Sequence, residues 1–331
     1  MGNNKLNIGL AGCGHLGAIH AKLLNILCFS ADSCTFAGVF DIDKLKAGEV
    51  SSEFKIKMFG SIDELLNNIN VLVIVTTTSA HFDIAKKALN KNINLFIEKP
   101  VTENSKEANE LINISKNKPV KIQVGHVERF NPALTSLSKY ELKPLFIESH
   151  RLAQFNPRGT DVSVIQDLMI HDIDIVLNLV KSPITKIDAN GVSVISDTLD
   201  IANARLTFEN GCVANLTASR ISLKKMRKMR IFQQNTYISV DFSKNKSELF
   251  RLVDSSFKAS ANVMTYPLTE SKKIIFEEPE PETNDINPIK DELESFIDSI
   301  TNDKPVKVTL EDASKALEAS DKIIEIISNS H

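Results

Sequence analysis

A chain of 331 residues, 42% hydrophobic and 24% charged, is too long for one ordinary core and fits two packed domains rather than a disordered protein. Its formal net charge of −3 removes any global electrostatic case for nucleic acid or an acidic membrane surface, which points to a small-molecule partner. Four cysteines (Cys13, Cys28, Cys34, Cys212) make no Cys-x-x-Cys pair, so the expectation is a reduced, cytoplasmic protein without a metal site or a disulfide framework.

The first apolar run, residues 6–10, is too short and too strand-like for a signal peptide, and no segment has the apolar length needed to cross a bilayer. Leu6-Asn7-Ile8-Gly9-Leu10-Ala11 reads as a buried strand, and Gly12-Cys13-Gly14-His15-Leu16-Gly17 leads straight into a helical pattern over residues 18–27. This is the G-x-G-x-x-G spacing in the strand-to-helix context that a dinucleotide site requires. Gly12 permits the tight turn, Gly14 lets the backbone approach a pyrophosphate, and Gly17 lets helix and strand pack closely. The helix N-terminus offers unpaired N–H groups to the phosphates, with His15 and Leu16 among the expected cofactor contacts.

The next strand, residues 35–40, ends at Asp41, 24 residues beyond Gly17. A carboxylate there accepts hydrogen bonds from the adenosine ribose and repels a 2′-phosphate, which favours NAD; Lys44 and Lys46 leave NADP open. Within Asp41-Ile42-Asp43 the other role to be filled is helix N-cap, one acid for each job. Helical patterns over 62–68, 79–90 and 105–116 then alternate with apolar strands over 71–75, 94–97 and 120–124, the signature of a parallel, doubly wound sheet. Thr76 and Thr77 are placed to line the cofactor groove, with Ser79 as a candidate cap. His81 is included in that groove as a surface or capping residue rather than a catalyst.

Leu95-Phe96-Ile97-Glu98-Lys99-Pro100 carries an acid and an amine to the carboxyl end of a strand, where open α/β sheets bind their ligands. Glu98 and Lys99 therefore join the expected site. Residues 124–132, Val-Gly-His-Val-Glu-Arg-Phe-Asn-Pro, read either as a pocket wall or as a solvated interdomain hinge. Residues 162–180 are apolar round most of a helix, with Asp167, His171, Asp174 and Asn178 on one stripe at helical spacing. Asp167 and His171, four apart, suit either proton transfer from an alcohol or a buried pair that locks two helices together.

Gly12-x-Gly14-x-x-Gly17, Glu98-Lys99-Pro100 and Asp167-x-x-x-His171, in this order, resemble the glucose-fructose oxidoreductase / inositol dehydrogenase / MocA family along essentially the whole chain. The resemblance implies that Lys99 lies by the nicotinamide and the reacting carbinol, that Asp167 positions substrate or base, and that His171 is the general base. Thr77 departs from the proline often found at that turn in the family. Residues 125–132 and 167–174 are similar to the branch containing UDP-N-acetylglucosamine 3-dehydrogenases, which implies a nucleotide-activated amino sugar as substrate. Arg129, Asn131, Arg158 and Asp174 are the substrate contacts this suggests, Arg158 as the phosphate or sugar donor. A dehydrogenase of free inositol or sugar and a non-catalytic, cofactor-binding regulatory protein are the rival readings.

Beyond that helix, strand patterns over 202–208, 212–219, 229–233, 236–242 and 247–253 imply an α+β domain with a large open, mostly antiparallel sheet. Asn210-Gly211 marks a hairpin. A sheet face left open seeks a partner, so a homo-oligomer, dimer or tetramer, is expected. The basic residues Arg220, Lys224, Lys225, Arg227, Lys228 and Arg230 read as a solvated strand edge or a phosphate site. The acidic stretch 277–282 reads as a solvated loop that neutralises them. Helices over 289–300 and 310–327 close the chain, the second with a capping box of Thr309 and Asp312. The expected division is 1–124 for the Rossmann domain, 125–308 for substrate binding and oligomerisation, and 309–331 for a helix packing back on the body.

Overall fold

The computed structural model describes residues 5–30, 33–156, 162–258, 263–281 and 287–330. Its first strand, β1 (Leu6–Ala11), runs into α1 (His15–Ser30) and then pairs in parallel with β2 (Cys34–Phe40). Asp43 starts α2 (Lys44–Phe54) by accepting from the N–H groups of Leu45 and Lys46. A two-residue strand, β3 (Lys57–Met58), escaped the sequence reading because two residues carry no periodicity.

Next come α3 (Ile62–Leu66), capped by Ser61, the wholly buried β4 (Val71–Ile74), α4 (Thr78–Asn90), β5 (Asn94–Glu98), α5 (Ser105–Ser115) and β6 (Ile122–Gly125). The six strands are parallel in the order β3-β2-β1-β4-β5-β6. The order reverses between β1 and β4, so the loops leaving these two strands flank the crevice where such sheets bind ligands.

After a 3₁₀ turn (Val127–Phe130) and α6 (Pro132–Thr135), the chain builds β7 (Phe146–Leu152), a π-helical turn (Ile165–Met169) and α7 (Ile170–Val180). Then follow β8 (Ile184–Val192), β9 (Ile201–Phe208), β10 (Val213–Ser219), β11 (Met226–Gln233), β12 (Thr236–Asp241), β13 (Lys246–Asp254), β14 (Met264–Pro267) and β15 (Lys272–Glu277). They form a nine-stranded sheet in the order β14-β15-β13-β12-β11-β7-β10-β9-β8, antiparallel except for β7 with β10. Gly211, at a φ of 85°, turns the β9–β10 hairpin as its Asn-Gly signal demands.

One face of this sheet buries Ile147, Ile231, Ile238, Leu249 and Ile275. Alternate positions carry Phe146, Phe232, Tyr237, Phe250 and Phe276 in a row across five strands, with successive ring centroids 5.8, 5.0, 5.5 and 4.9 Å apart. Two expectations fail here. The basic segment is no sheet edge, because β11 lies between β12 and β7. Glu277 and Glu278 do not neutralise it, because they pair with Arg251 and Lys246, whose strand is their neighbour.

The chain ends in α8 (Pro288–Thr301) and α9 (Leu310–Ser328). Thr309 and Asp312 form the expected reciprocal cap: the Asp312 N–H donates to Thr309 Oγ1 at 3.0 Å, and the Thr309 N–H to Asp312 Oδ2 at 3.3 Å. Contacts divide the molecule into one unit of Met1–Val127 with Asn287–Leu317 and a second of Glu128–Ile286 with Glu318–His331. Helix α8, read from sequence as part of the second domain, thus belongs to the first. Its Leu293 and Phe296 sit in that core, the Phe296 ring 5.9 Å from that of Phe96 on β5.

Candidate active site

The glycine loop leaves β1 with Gly12 at a φ of 99°, where a Cβ would lie 2.4 Å from the Val75 carbonyl oxygen. Only glycine meets both demands. A Cβ on Gly17 would lie 2.1 Å from the Gly12 carbonyl oxygen, whereas one on Gly14 would meet open space. Close packing at Gly12 and Gly17 beside open room at Gly14 is the shape a pyrophosphate needs, with His15 and Leu16 exposed at the start of α1.

Asp41, just past β2, accepts the Cys13 N–H on Oδ2 at 2.6 Å and the Asp43 N–H on Oδ1 at 2.8 Å. Those bonds hold the carboxylate against the glycine loop, and Asp43 takes the separate capping role. Lys46 pairs with Asp43 at 3.1 Å. The donors and acceptors along this crevice fit a dinucleotide whose ribose hydroxyls meet Asp41.

At the end of β4, Thr77 rather than Ser79 is the N-cap position of α4, with no side-chain cap bond, and Ser79 already lies inside the helix. Thr77 is exposed, and the Thr76 hydroxyl donates to the Thr77 carbonyl at 3.2 Å. His81 is neither a surface nor a capping residue: it is 1% exposed, with Nδ1 3.0 Å from the Pro100 carbonyl and Nε2 3.2 Å from that of Thr76. Burial pushes its imidazole toward the neutral form. The ring lies between the loop after β4 and the loop after β5, and as a neutral imidazole it donates to one of these two carbonyls.

Lys99 follows β5, half-buried, before a cis bond to Pro100. Glu98, 8% exposed, accepts the Lys99 N–H on Oε2 at 3.1 Å, and its Oε1 lies 2.8 Å from His20 Nε2. A Cβ on Gly125 would lie 3.0 Å from the Glu98 carboxyl, so the glycine ending β6 makes room for it. Glu292 from α8 completes the cluster: one ligand-type atom from each of His20, Glu98 and Glu292 lies within 4.8 Å of the others, all three residues being buried. Neither Glu292 oxygen has a hydrogen-bond partner. Burial and then the neighbouring Glu98 carboxylate hold the Glu292 carboxyl well above the usual range. The His20–Glu98 separation is that of a hydrogen bond. His20 and Glu292 were not singled out from sequence; the available signal was an acid on the buried face of α8, at i and i+4 from Glu292 to Phe296.

In the second unit two buried ion pairs grip α7. Arg151 of β7 donates to Asp172 through Nε at 2.8 Å and Nη2 at 3.1 Å, and to Glu128 Oε1 through Nη1 at 2.7 Å. Arg129 clamps Asp174 through Nε and Nη2, both at 2.7 Å. Two residues apart on an α-helix means about 200° round its axis, so the pairs hold opposite sides and fix its rotation. Arg129, Asn131 and Asp174, the expected substrate contacts, thus each carry internal bonds. Asn131 caps α6 and donates to Glu128 and to the Phe242 carbonyl, each at 3.1 Å. Arg158 lies outside the described residues.

Asp167 sits in the π turn and His171 in the first turn of α7, both half-buried. The wider turn and the buried Asp174 break the single polar stripe expected of a regular helix; such turns recur at functional sites. Asp167 also lines a cavity of about 270 Å³ with Gln154, Asn156, Arg220, Lys225 and Arg227. Lys99 belongs to the first unit, and Asp167 and His171 to the second.

Residues 6–126 match the family model described as "Oxidoreductase family, NAD-binding Rossmann fold", and residues 146–239 match the GFO/IDH/MocA C-terminal domain. The UDP-N-acetylglucosamine 3-dehydrogenase of Acidithiobacillus ferrooxidans is 39% identical over 246 residues, 74% of this chain and 77% of that one. Its solved structure superposes with a TM-score of 0.86 at 32% identity, covering 98% of this chain and 99% of that one. The scyllo-inositol 2-dehydrogenase (NAD(+)) of Bacillus subtilis is 29% identical over 240 residues, 66% of this chain and 68% of that one. A levoglucosan dehydrogenase solved with NADH and levoglucosan shares the fold at a TM-score of 0.83 and 18% identity, covering 99% and 98%.

Proposed function

The chain belongs to the GFO/IDH/MocA family of NAD-binding oxidoreductases, and from that premise we propose that it oxidises a secondary hydroxyl of a nucleotide-activated amino sugar, as a UDP-N-acetylglucosamine 3-dehydrogenase does. The choice of substrate is carried by the 39% identity to the Acidithiobacillus enzyme, against 29% to the inositol enzyme. NAD, when bound, supplies the hydride acceptor at C4 of its nicotinamide. Gly12, Gly14, Gly17 and Asp41 would hold its pyrophosphate and ribose.

His171 takes the hydroxyl proton on an imidazole nitrogen while the carbinol carbon gives up its hydride and the C=O bond forms. Asp167 orients that imidazole and stabilises its charged form. Lys99 stabilises the alkoxide as charge develops on oxygen. Glu98 and His81 keep the Lys99 segment in place, through the Lys99 N–H and the Pro100 carbonyl. The retained amine, acid and imidazole favour this over a regulatory protein, which has no use for proton-transfer groups.

A homo-oligomer built on the open sheet accords with the aromatic row from Phe146 to Phe276, where Phe232 is 38% exposed. No helix among the described residues is long and apolar enough to cross a membrane, and the four free cysteines support a cytoplasmic location. The direct test is reduced-nicotinamide absorbance on mixing near-stoichiometric protein with NAD and UDP-N-acetylglucosamine at alkaline pH. A burst of reduced cofactor is expected. A burst with free inositol or sugars instead moves the substrate, and turnover of none of these would overturn the proposal.

A further inference from the structure

The sequence reading left Arg220, Lys225 and Arg227 between a solvated strand and a phosphate site. The structure brings all three to one cavity of about 270 Å³ together with Asp167. That volume, just below the usual range for ligand pockets, takes part of a nucleotide sugar rather than all of it. Its lining holds an excess of cations, three against one carboxylate, with Asp200 standing beside Arg220 and Glu128 beside Arg227. A neutral cyclitol or free sugar has no use for that excess, whereas a diphosphate diester, with one negative charge on each phosphoryl group, matches it.

The cations are held in different ways. Arg220 is 5% exposed, donates to the Val162 carbonyl and lies 3.8 Å from Asp200 Oδ1. Asp200 meanwhile accepts from the N–H groups of Val194, Ile195 and Ser196 at 2.8, 2.6 and 3.0 Å and from the Ser196 hydroxyl at 2.7 Å. Arg227 is anchored at 3.7 Å to Glu128 Oε1, an oxygen already serving Arg151, and over half of its side chain stays exposed. Lys225 is exposed. Gln154 and Asn156 add amides to the same wall, and Gln154 donates to the Leu223 carbonyl at 3.0 Å.

We propose that Arg220, Lys225 and Arg227 receive the diphosphate of the nucleotide sugar, so that the wall that selects phosphorylated over free sugars also carries Asp167. This rests on the proposed function. It places the charged linkage of the substrate, not only its sugar ring, at the second unit.

The test is calorimetric titration of UDP and of uridine into the full-length protein saturated with NADH. Wild type should bind UDP at least about tenfold more tightly than uridine, the gap narrowing as salt rises. The Lys225→Ala/Arg227→Ala double variant removes exposed side chains and should lose about tenfold or more in UDP affinity, with uridine and NADH affinities unchanged. Its KM for UDP-N-acetylglucosamine should rise in step. Equal binding of UDP and uridine by wild type, or UDP affinity untouched in the double variant, overturns the proposal. Lost UDP affinity in a protein that turns over no UDP-N-acetylglucosamine supports the wall and sinks the substrate assignment. Wild-type turnover with an unmoved KM in the variant does the reverse.

Discussion

The two units bury their acids by opposite means. In the second, Glu128 and Asp172 share the Arg151 guanidinium and Asp174 has Arg129, so each carboxylate faces a fixed positive charge. In the first, Glu98, Glu292 and His20 lie together, and among the described residues neither Glu292 oxygen has a hydrogen-bond partner. A carboxylate taken from water must either meet a counter-charge or keep its proton. The second unit uses counter-charge to lock the rotation of α7. In the first, burial and the neighbouring Glu98 carboxylate raise the Glu292 carboxyl well above its usual range, which favours its neutral form, while Glu98 meets the Lys99 N–H and His20.

Breaking the counter-charged side should have the largest effect. Arg151→Ala strands two carboxylates at a site where the arginine is 3% exposed, and a loss of about 3–5 kcal/mol is expected. Urea denaturation would measure it; a loss under about 1 kcal/mol would mean that the network does not hold the helix. Next in size comes Lys99→Met, beside the cluster of Glu98, Glu292 and His20. Turnover should fall by roughly 10²–10³-fold or more while NADH binding, followed by fluorescence, stays as in wild type. Surviving turnover would remove Lys99 from the chemistry.

The change with the smallest effect near pH 5, and the most discriminating, is Glu292→Gln. Its carboxyl is raised in the folded protein, so folding retains a proton that the unfolded chain releases above the ordinary glutamate value of 4.5. The stability this contributes is fully present below that value and is lost as pH rises toward and through the folded one. Glutamine mimics the neutral acid and should match wild type near pH 5. Above that it should be the more stable protein, the gap widening by up to about 1.4 kcal/mol per pH unit. Parallel stability curves for the two proteins between pH 5 and pH 9 would show that Glu292 is already ionised in the fold.

Much of the first unit was legible because its signals are local. The glycine spacing, the apolar strands and the capping residues each act within a few positions of themselves, and β1, β4 and β5 formed at or within a residue of where they were read. The second unit was read less completely. β7 holds Glu148 and Arg151 among its apolar residues, and β8 contains an Asn-Gly pair that reads as a turn. Both strands are held by neighbours instead of by a clean alternation. The N-cap position of α4 is Thr77, not Ser79, a two-residue shift that composition alone does not distinguish.

By itself the sequence determined the βα alternation, the glycine loop and the acid after β2. Each of these rests on periodicity or on a contact between near neighbours in the chain. Only the tertiary structure decided the partners of the charges: His20 with Glu98 across 78 residues, Arg129 with Asp174 across 45, and Arg220 and Arg227 at one cavity with Asp167. The physical reason is that a buried charge selects its partner by distance and solvation in space. Those are set when sheets and helices pack, and local sequence carries no record of them.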